Sequence, residues 1–216
     1  MPNIKRPSKA NGVRPRRTGY HHGDLRRALL EATLQLVATN GPEGFTLRAA
    51  AKLAQVSDAA PYHHFADKEA LLASVAEEGF QKLHAELEQA GNGASDAEER
   101  ARAMGVAYVL FAVNHPSHFR VMVTRPLAQQ AKHVELAKTA AAAFNLVRDA
   151  LISAVGERQL QRVPAEQLIY TSWALVHGLA FLAIDGHLGP IAQDSSRLGP
   201  FVHAILSAQG ADKSCT

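Results

Sequence analysis

The stretch FTLRAAAKLAQVSDAAPYHHFADKEALL, residues 45–72, decides how this chain is read. Thr46 is placed to cap a helix by accepting from backbone N–H groups two or three residues on, and Ala49, Ala50 and Leu53 then share its buried face. That helix is short, about two turns. Ala54-Gln55-Val56 makes a turn, and Ser57 is a second capping residue that opens a helix over Asp58 to Phe65. Pro61 falls in the first turn of that segment, where most N–H groups have no intrahelical partner, so it costs far less than a mid-helix proline. A third cap, Asp67, starts a long helix through Leu71, Leu72, Val75, Phe80, Leu83 and Leu87. Two short capped helices joined by a three- or four-residue turn, the second followed at once by another capped helix, have helix-turn-helix spacing.

Upstream, Leu25, Ala28, Leu29, Ala32, Leu36 and Val37 recur at helical spacing from Asp24, and Asn40-Gly41-Pro42 supplies the stop. Residues 1–19 hold Lys5, Arg6, Lys9, Arg14, Arg16 and Arg17 with no acid, among Pro, Gly and Asn, and are expected to be a disordered basic arm. A solvated tail and a DNA-contacting arm both remain open for it. Downstream, the long helix stops at Gly91-Asn92-Gly93, and Ser95 with Glu98 reads as a capping box. A helix through Met104, Tyr108, Phe111 and Ala112 runs to Asn114-His115-Pro116. Further helices are expected at about 117–123, 127–155, 165–185 and 195–208, and no strand-like alternation of useful length occurs. The reading is an all-α fold of roughly nine helices: arm 1–19, a three-helix helix-turn-helix domain 20–66, a linking helix 67–93, and a second helical domain 94–210.

Composition agrees with a globular protein: 216 residues, 47% hydrophobic and 20% charged. The net charge of +3 is uneven, since residues 1–75 carry 11 Lys/Arg against 6 Asp/Glu and the remainder carries 12 against 14. A basic first third points to a polyanion as its partner, and nucleic acid is the commonest cytoplasmic one. The single cysteine, Cys215, can neither staple a fold nor supply a zinc ligand set. No run is read as a membrane span and the basic start lacks a signal peptide's apolar stretch, so the expected location is the cytoplasm.

Residues 20–80 resemble the DNA-binding domain of the TetR family of bacterial transcription regulators, through Asn40-Gly41, Phe45-Thr46-Leu47-Arg48, Val56-Ser57 and the spacing Tyr62-x-x-Phe65-x-x-Lys68-x-x-Leu71-Leu72. The resemblance implies a homodimer on a palindromic double-stranded DNA operator. It implies that Thr46 and Arg48 contact phosphates, that Ser57, Asp58, Ala59, Ala60 and His63 face the major groove, and that Tyr62 and Lys68 grip the backbone. Gln55 stands where the family usually has glycine, and must accept a left-handed backbone at about 1 kcal/mol or re-form the turn. No Arg, Asn or Gln in the recognition segment can bond a base edge bidentately, so direct readout rests on His63, methyl contacts and the arm.

In the second half, Trp173-Ala174-Leu175-Val176-His177-Gly178 is similar to a subgroup of that family whose ligand domain carries a tryptophan followed one turn later by His-Gly. Candidate effector contacts are Tyr108, Phe111, His115, Phe119, Met122, Trp173 and His177, an apolar set with a few polar tips. Each also reads as ordinary core. The segments 165–185 and 195–208 are apolar on more than one face and, by the resemblance, form a four-helix dimer seam. The resulting expectation is a repressor released from its operator by a small, largely apolar effector, with no cofactor and no metal; the alternative is a DNA-binding regulator controlled by a protein partner. An enzyme is disfavoured, because His115 and His118 find no third ligand and no nucleophile elbow, phosphate loop or His-Glu-x-x-His occurs.

Overall fold

The computed structural model describes residues 22–124, 132–156 and 160–211, so the basic arm and Cys215 lie outside the described residues. Within them the chain forms eight α-helices and two short 3-10 segments, with no strand. In order these are α1 (His22–Asn40), α2 (Leu47–Leu53), a 3-10 segment (Ala60–His63), α3 (Lys68–Asn92), α4 (Ala97–Asn114), α5 (Pro116–Thr124), α6 (Val134–Val155), α7 (Ala165–Ile184), a 3-10 segment (Gly189–Ile191) and α8 (Ser195–Ala211).

The central element is α3, which packs on α4, α5 and α6, while α4 reaches α7 and α8 on its other side and α1 rests on α2, α3 and α5. One core runs through the whole arrangement, from Leu29 and Val37 of α1 past Phe45, Leu47 and Phe65 to Leu71, Val75 and Leu87 of α3, and on to Met104, Phe111, Phe119, Leu136 and Ala180. A smaller one joins Val109 to Leu179, Leu198 and Val202. Close approach of α3 and α5 depends on Gly79, where a Cβ would meet the Met122 thioether and His118 Cβ.

Four expectations are corrected. The segment opened by Ser57 is not an α-helix: Ala59 precedes a four-residue 3-10 turn with no side-chain cap, and the turn closes through the Ala60 N–H to the Ser57 carbonyl at 2.9 Å. Proline near its start leaves fewer N–H donors to propagate α-helical bonding. The cap of α4 is Asp96, whose carboxylate accepts from the Glu99 N–H at 2.8 Å, while Ser95 donates to Asp96 instead. The expected helix 127–155 begins at Val134, after Lys132 and His133; residues 127–131 lie outside the described residues. Finally, α7 is long and apolar enough by length and composition alone to cross a membrane, even though Gln167, Thr171, Ser172 and His177 interrupt its apolar run. It packs on α4 and α6 through Ile169, Leu179, Ala180 and Ala183, and leaves Tyr170, Trp173 and Leu182 exposed.

Candidate nucleic-acid interface and effector site

The turn after α2 is built as a Schellman cap. The Val56 N–H donates to the Ala51 carbonyl at 3.0 Å and the Gln55 N–H to the Lys52 carbonyl at 3.1 Å, and Gln55 takes φ +58°, so of the two alternatives open to it the residue accepts the left-handed backbone. At the other end of α2 the Thr46 hydroxyl accepts from the Ala49 N–H at 3.2 Å. Beyond the turn, Pro61 and Phe65 are buried and pin the 3-10 segment from inside, and Asp67 caps α3 by accepting from the Ala70 N–H at 2.7 Å. These fixed points hold an outward row of side chains.

Thr46, Arg48, Ser57, Asp58, Ala59, Tyr62 and His63 are all exposed, and Ala60 is half-buried. Tyr62 is 56% exposed, so its ring is no core residue. Lys68 differs from the rest: its ammonium donates to the Glu43 carbonyl at 2.9 Å and sits 4.6 Å from the centre of the Phe45 ring. It therefore ties the first residue of α3 to the loop before α2, a contact between positions far apart in sequence that no local pattern announces. Among the described residues no group of three or more His, Cys, Asp or Glu is arranged to hold a metal, His63 and His64 included.

The seven candidate effector residues divide into two sets. Tyr108, Phe119, Trp173 and His177 come together: the Tyr108 hydroxyl lies 2.8 Å from His177 Nδ1, and the His177 ring is 5.6 Å from both Phe119 and Trp173. Phe181, which the sequence reading left out, completes the cluster at 5.1 Å from His177 and 5.7 Å from Phe119. The 173/177/181 spacing on one face of α7 was its available signal. Burial pushes the Tyr108 hydroxyl up to about 12 and holds the His177 imidazole below its ordinary value, so both groups are neutral near pH 7 and offer hydrogen bonds but no charge. Phe111, His115 and Met122 lie apart from that cluster. Phe111 is fully buried with its ring 5.0 Å from that of His115 and tilted to it, His115 reaches Glu86 of α3 at 3.2 Å, and Met122 faces Gly79. They form the α3 seam.

Comparison with known proteins follows the same division. Residues 29–75 match the family described as bacterial regulatory proteins, tetR family, and residues 101–202 match the tetracyclin repressor-like C-terminal domain. A structure of a protein with unknown function from Rhodococcus sp. RHA1 is 30% identical, with a TM-score of 0.66 over 87% of this chain and 95% of that one. The fatty acid degradation regulator FadR from Bacillus halodurans is 19% identical, with a TM-score of 0.63 over 87% and 96%. AibR, solved in complex with isovaleryl coenzyme A and operator DNA, is 16% identical, with a TM-score of 0.65 over 84% and 97%. No match was found among curated protein sequences.

Proposed function

Since the chain belongs to the TetR family of bacterial regulators, we propose that it acts in the cytoplasm as a homodimeric repressor that leaves a palindromic operator when a small, largely apolar effector binds. The observation that carries this reading is the exposed set Ser57, Asp58, Ala59, Tyr62 and His63, held between a Schellman turn and the Asp67 cap in the basic third of the chain. Ser57, Asp58, Ala59, Ala60 and His63 would enter the major groove. Thr46, Arg48 and Tyr62 would take phosphates, with Lys68 adding its charge while bracing the loop.

The effector would meet Tyr108, Phe119, Trp173 and His177, together with Phe181. The Trp173 to His177-Gly178 motif supports this, because it puts the half-exposed tryptophan beside the histidine that bonds Tyr108. A neutral aromatic lining favours an apolar ligand portion with one hydrogen-bonding group. One similar structure is a fatty acid degradation regulator and another holds isovaleryl coenzyme A, so fatty-acid and acyl-coenzyme A compounds are the first probes to try. Dimerisation would use α7 and α8, since α7 leaves Tyr170 and Leu182 uncovered in one chain.

The test is to sequence the genomic DNA fragments retained by the purified protein, then to titrate acyl compounds against the recovered site. Enrichment of one palindrome with release by an acyl compound is the expected result. Retention of unrelated fragments would remove the operator reading, and a palindrome that no metabolite releases would shift the reading to control by a protein partner.

A further inference from the structure

The helix that follows the DNA-facing segment is tied to its three neighbours by one kind of chemistry. Glu69 meets His133, just before α6, at 3.1 Å; Glu78 meets His118 of α5 at 3.4 Å; Glu86 meets His115, at the end of α4, at 3.2 Å. Of the three imidazoles, His118 is the most deeply buried, at 5% exposure, and it packs beside Gly79, where α3 and α5 approach most closely. Its Nε2 lies near the Glu78 carboxylate without hydrogen-bond geometry, a buried ring nitrogen with no hydrogen bond. Such a group calls for an explanation. Glu78 is already held by the Lys82 ammonium at 2.6 Å.

A proton added at His118 would place a cation in the seam, opposite Glu78 but also beside Lys82. His115 of α4 stands 6.0 Å away ring to ring and contacts Glu86; Arg120 of α5 bonds Asp185; Arg27 of α1 pairs with Glu31, and Arg26 lies over Phe65. We propose that His118 is a proton-operated latch between α3 and α5, whose protonation loosens that seam and is thereby coupled to operator binding through α3. The route is short. α3 starts directly after the Asp67 cap that ends the DNA-facing segment, and α1 packs on α5, so a shift of this seam reaches the DNA-binding region from two sides.

Burial, with the charge of Lys82 adding to it, holds the His118 pKa below the ordinary imidazole value. An opened seam therefore binds the proton more tightly than the closed one. The stabilisation is fully present above about pH 6.5 and is lost as the pH falls through that value toward the lower one in the closed seam. This coupling rests on the operator-binding reading, whereas the titration of the seam itself does not.

The experiment uses the full-length protein between pH 5.5 and 7.5 at fixed ionic strength. It follows the His118 imidazole by NMR, thermal unfolding, and operator affinity by fluorescence anisotropy. His118→Gln should flatten the acid-side loss of melting temperature and change the pH slope of log affinity by up to about one proton, a tenfold change per pH unit at most. Lys82→Gln keeps the imidazole but removes the opposing charge, and should move the His118 midpoint to higher pH; Glu78→Gln should move it lower. A midpoint unmoved by Lys82→Gln, or equal pH slopes of stability in wild type and His118→Gln, overturns the latch. A latch that titrates while both proteins keep the same pH slope of affinity overturns the coupling. Absence of operator binding at any pH would instead remove the functional reading and with it the coupling, leaving the NMR and melting results to decide the latch.

Discussion

Gln55 holds a side chain where the backbone turns left-handed, and nothing but its place in the Schellman cap requires that conformation. Removing its Cβ relieves a strain of roughly 1 kcal/mol at some cost in unfolded-chain entropy. Gln55→Gly should therefore raise stability by up to ~1 kcal/mol in chemical denaturation. Equal or lower stability would show that the Gln55 side chain makes a compensating contact. Two cations nearby are separable by salt. Arg48 is exposed, so Arg48→Ala should make the slope of log affinity against log salt shallower by about 0.9 and leave folding alone. Lys68→Ala should change the slope by a similar amount and also lose roughly 1 kcal/mol of stability, because its ammonium bonds Glu43 and covers Phe45. An unchanged slope in folded Lys68→Ala would assign Lys68 to bracing alone.

At the scale of elements, α7 presents the sharpest expectation. Leu182 is 43% exposed in one chain, and a partner covering it would turn Leu182→Glu into a buried, unpaired carboxylate costing several kcal/mol. Light scattering should find that variant monomeric at micromolar concentration and unable to hold DNA; a dimer would put the interface elsewhere. Helix boundaries were legible in the sequence wherever a cap decides them locally, as at Thr46 and Asp67. They slipped by one residue at Ser95 and Asp96, two adjacent acceptors of which the structure uses the second. The 3-10 form of the Ala60–His63 segment was not legible, since it depends on Pro61 and Phe65 being drawn into the core. Nor was the division of the aromatic set. Tyr108 and Phe111 are three residues apart on α4, yet one faces His177 and the other His115, and only tertiary packing separates them. The carboxylate–imidazole contacts of α3 join residues 29 to 64 positions apart, beyond the reach of any periodicity.

For the whole molecule, effector and operator should oppose one another reciprocally, at about 1–3 kcal/mol of coupling. Trp173 is the only tryptophan and sits 5.6 Å from His177, so its emission should shift on effector binding, and added operator should weaken that binding by the factor by which effector weakens operator. Trp173→Ala should blunt release while leaving DNA affinity nearly intact; a normal response would make Trp173 plain packing. The uninterrupted core from Leu29 to Ala180 has another consequence, for anyone who would recombine such proteins. A reading head cut out at residue 66 or 93 would carry away half of a shared interior and should melt without cooperativity. A hybrid that joins this head to a foreign sensor would work only if the α1 surface that rests on α5 is re-matched to its new host.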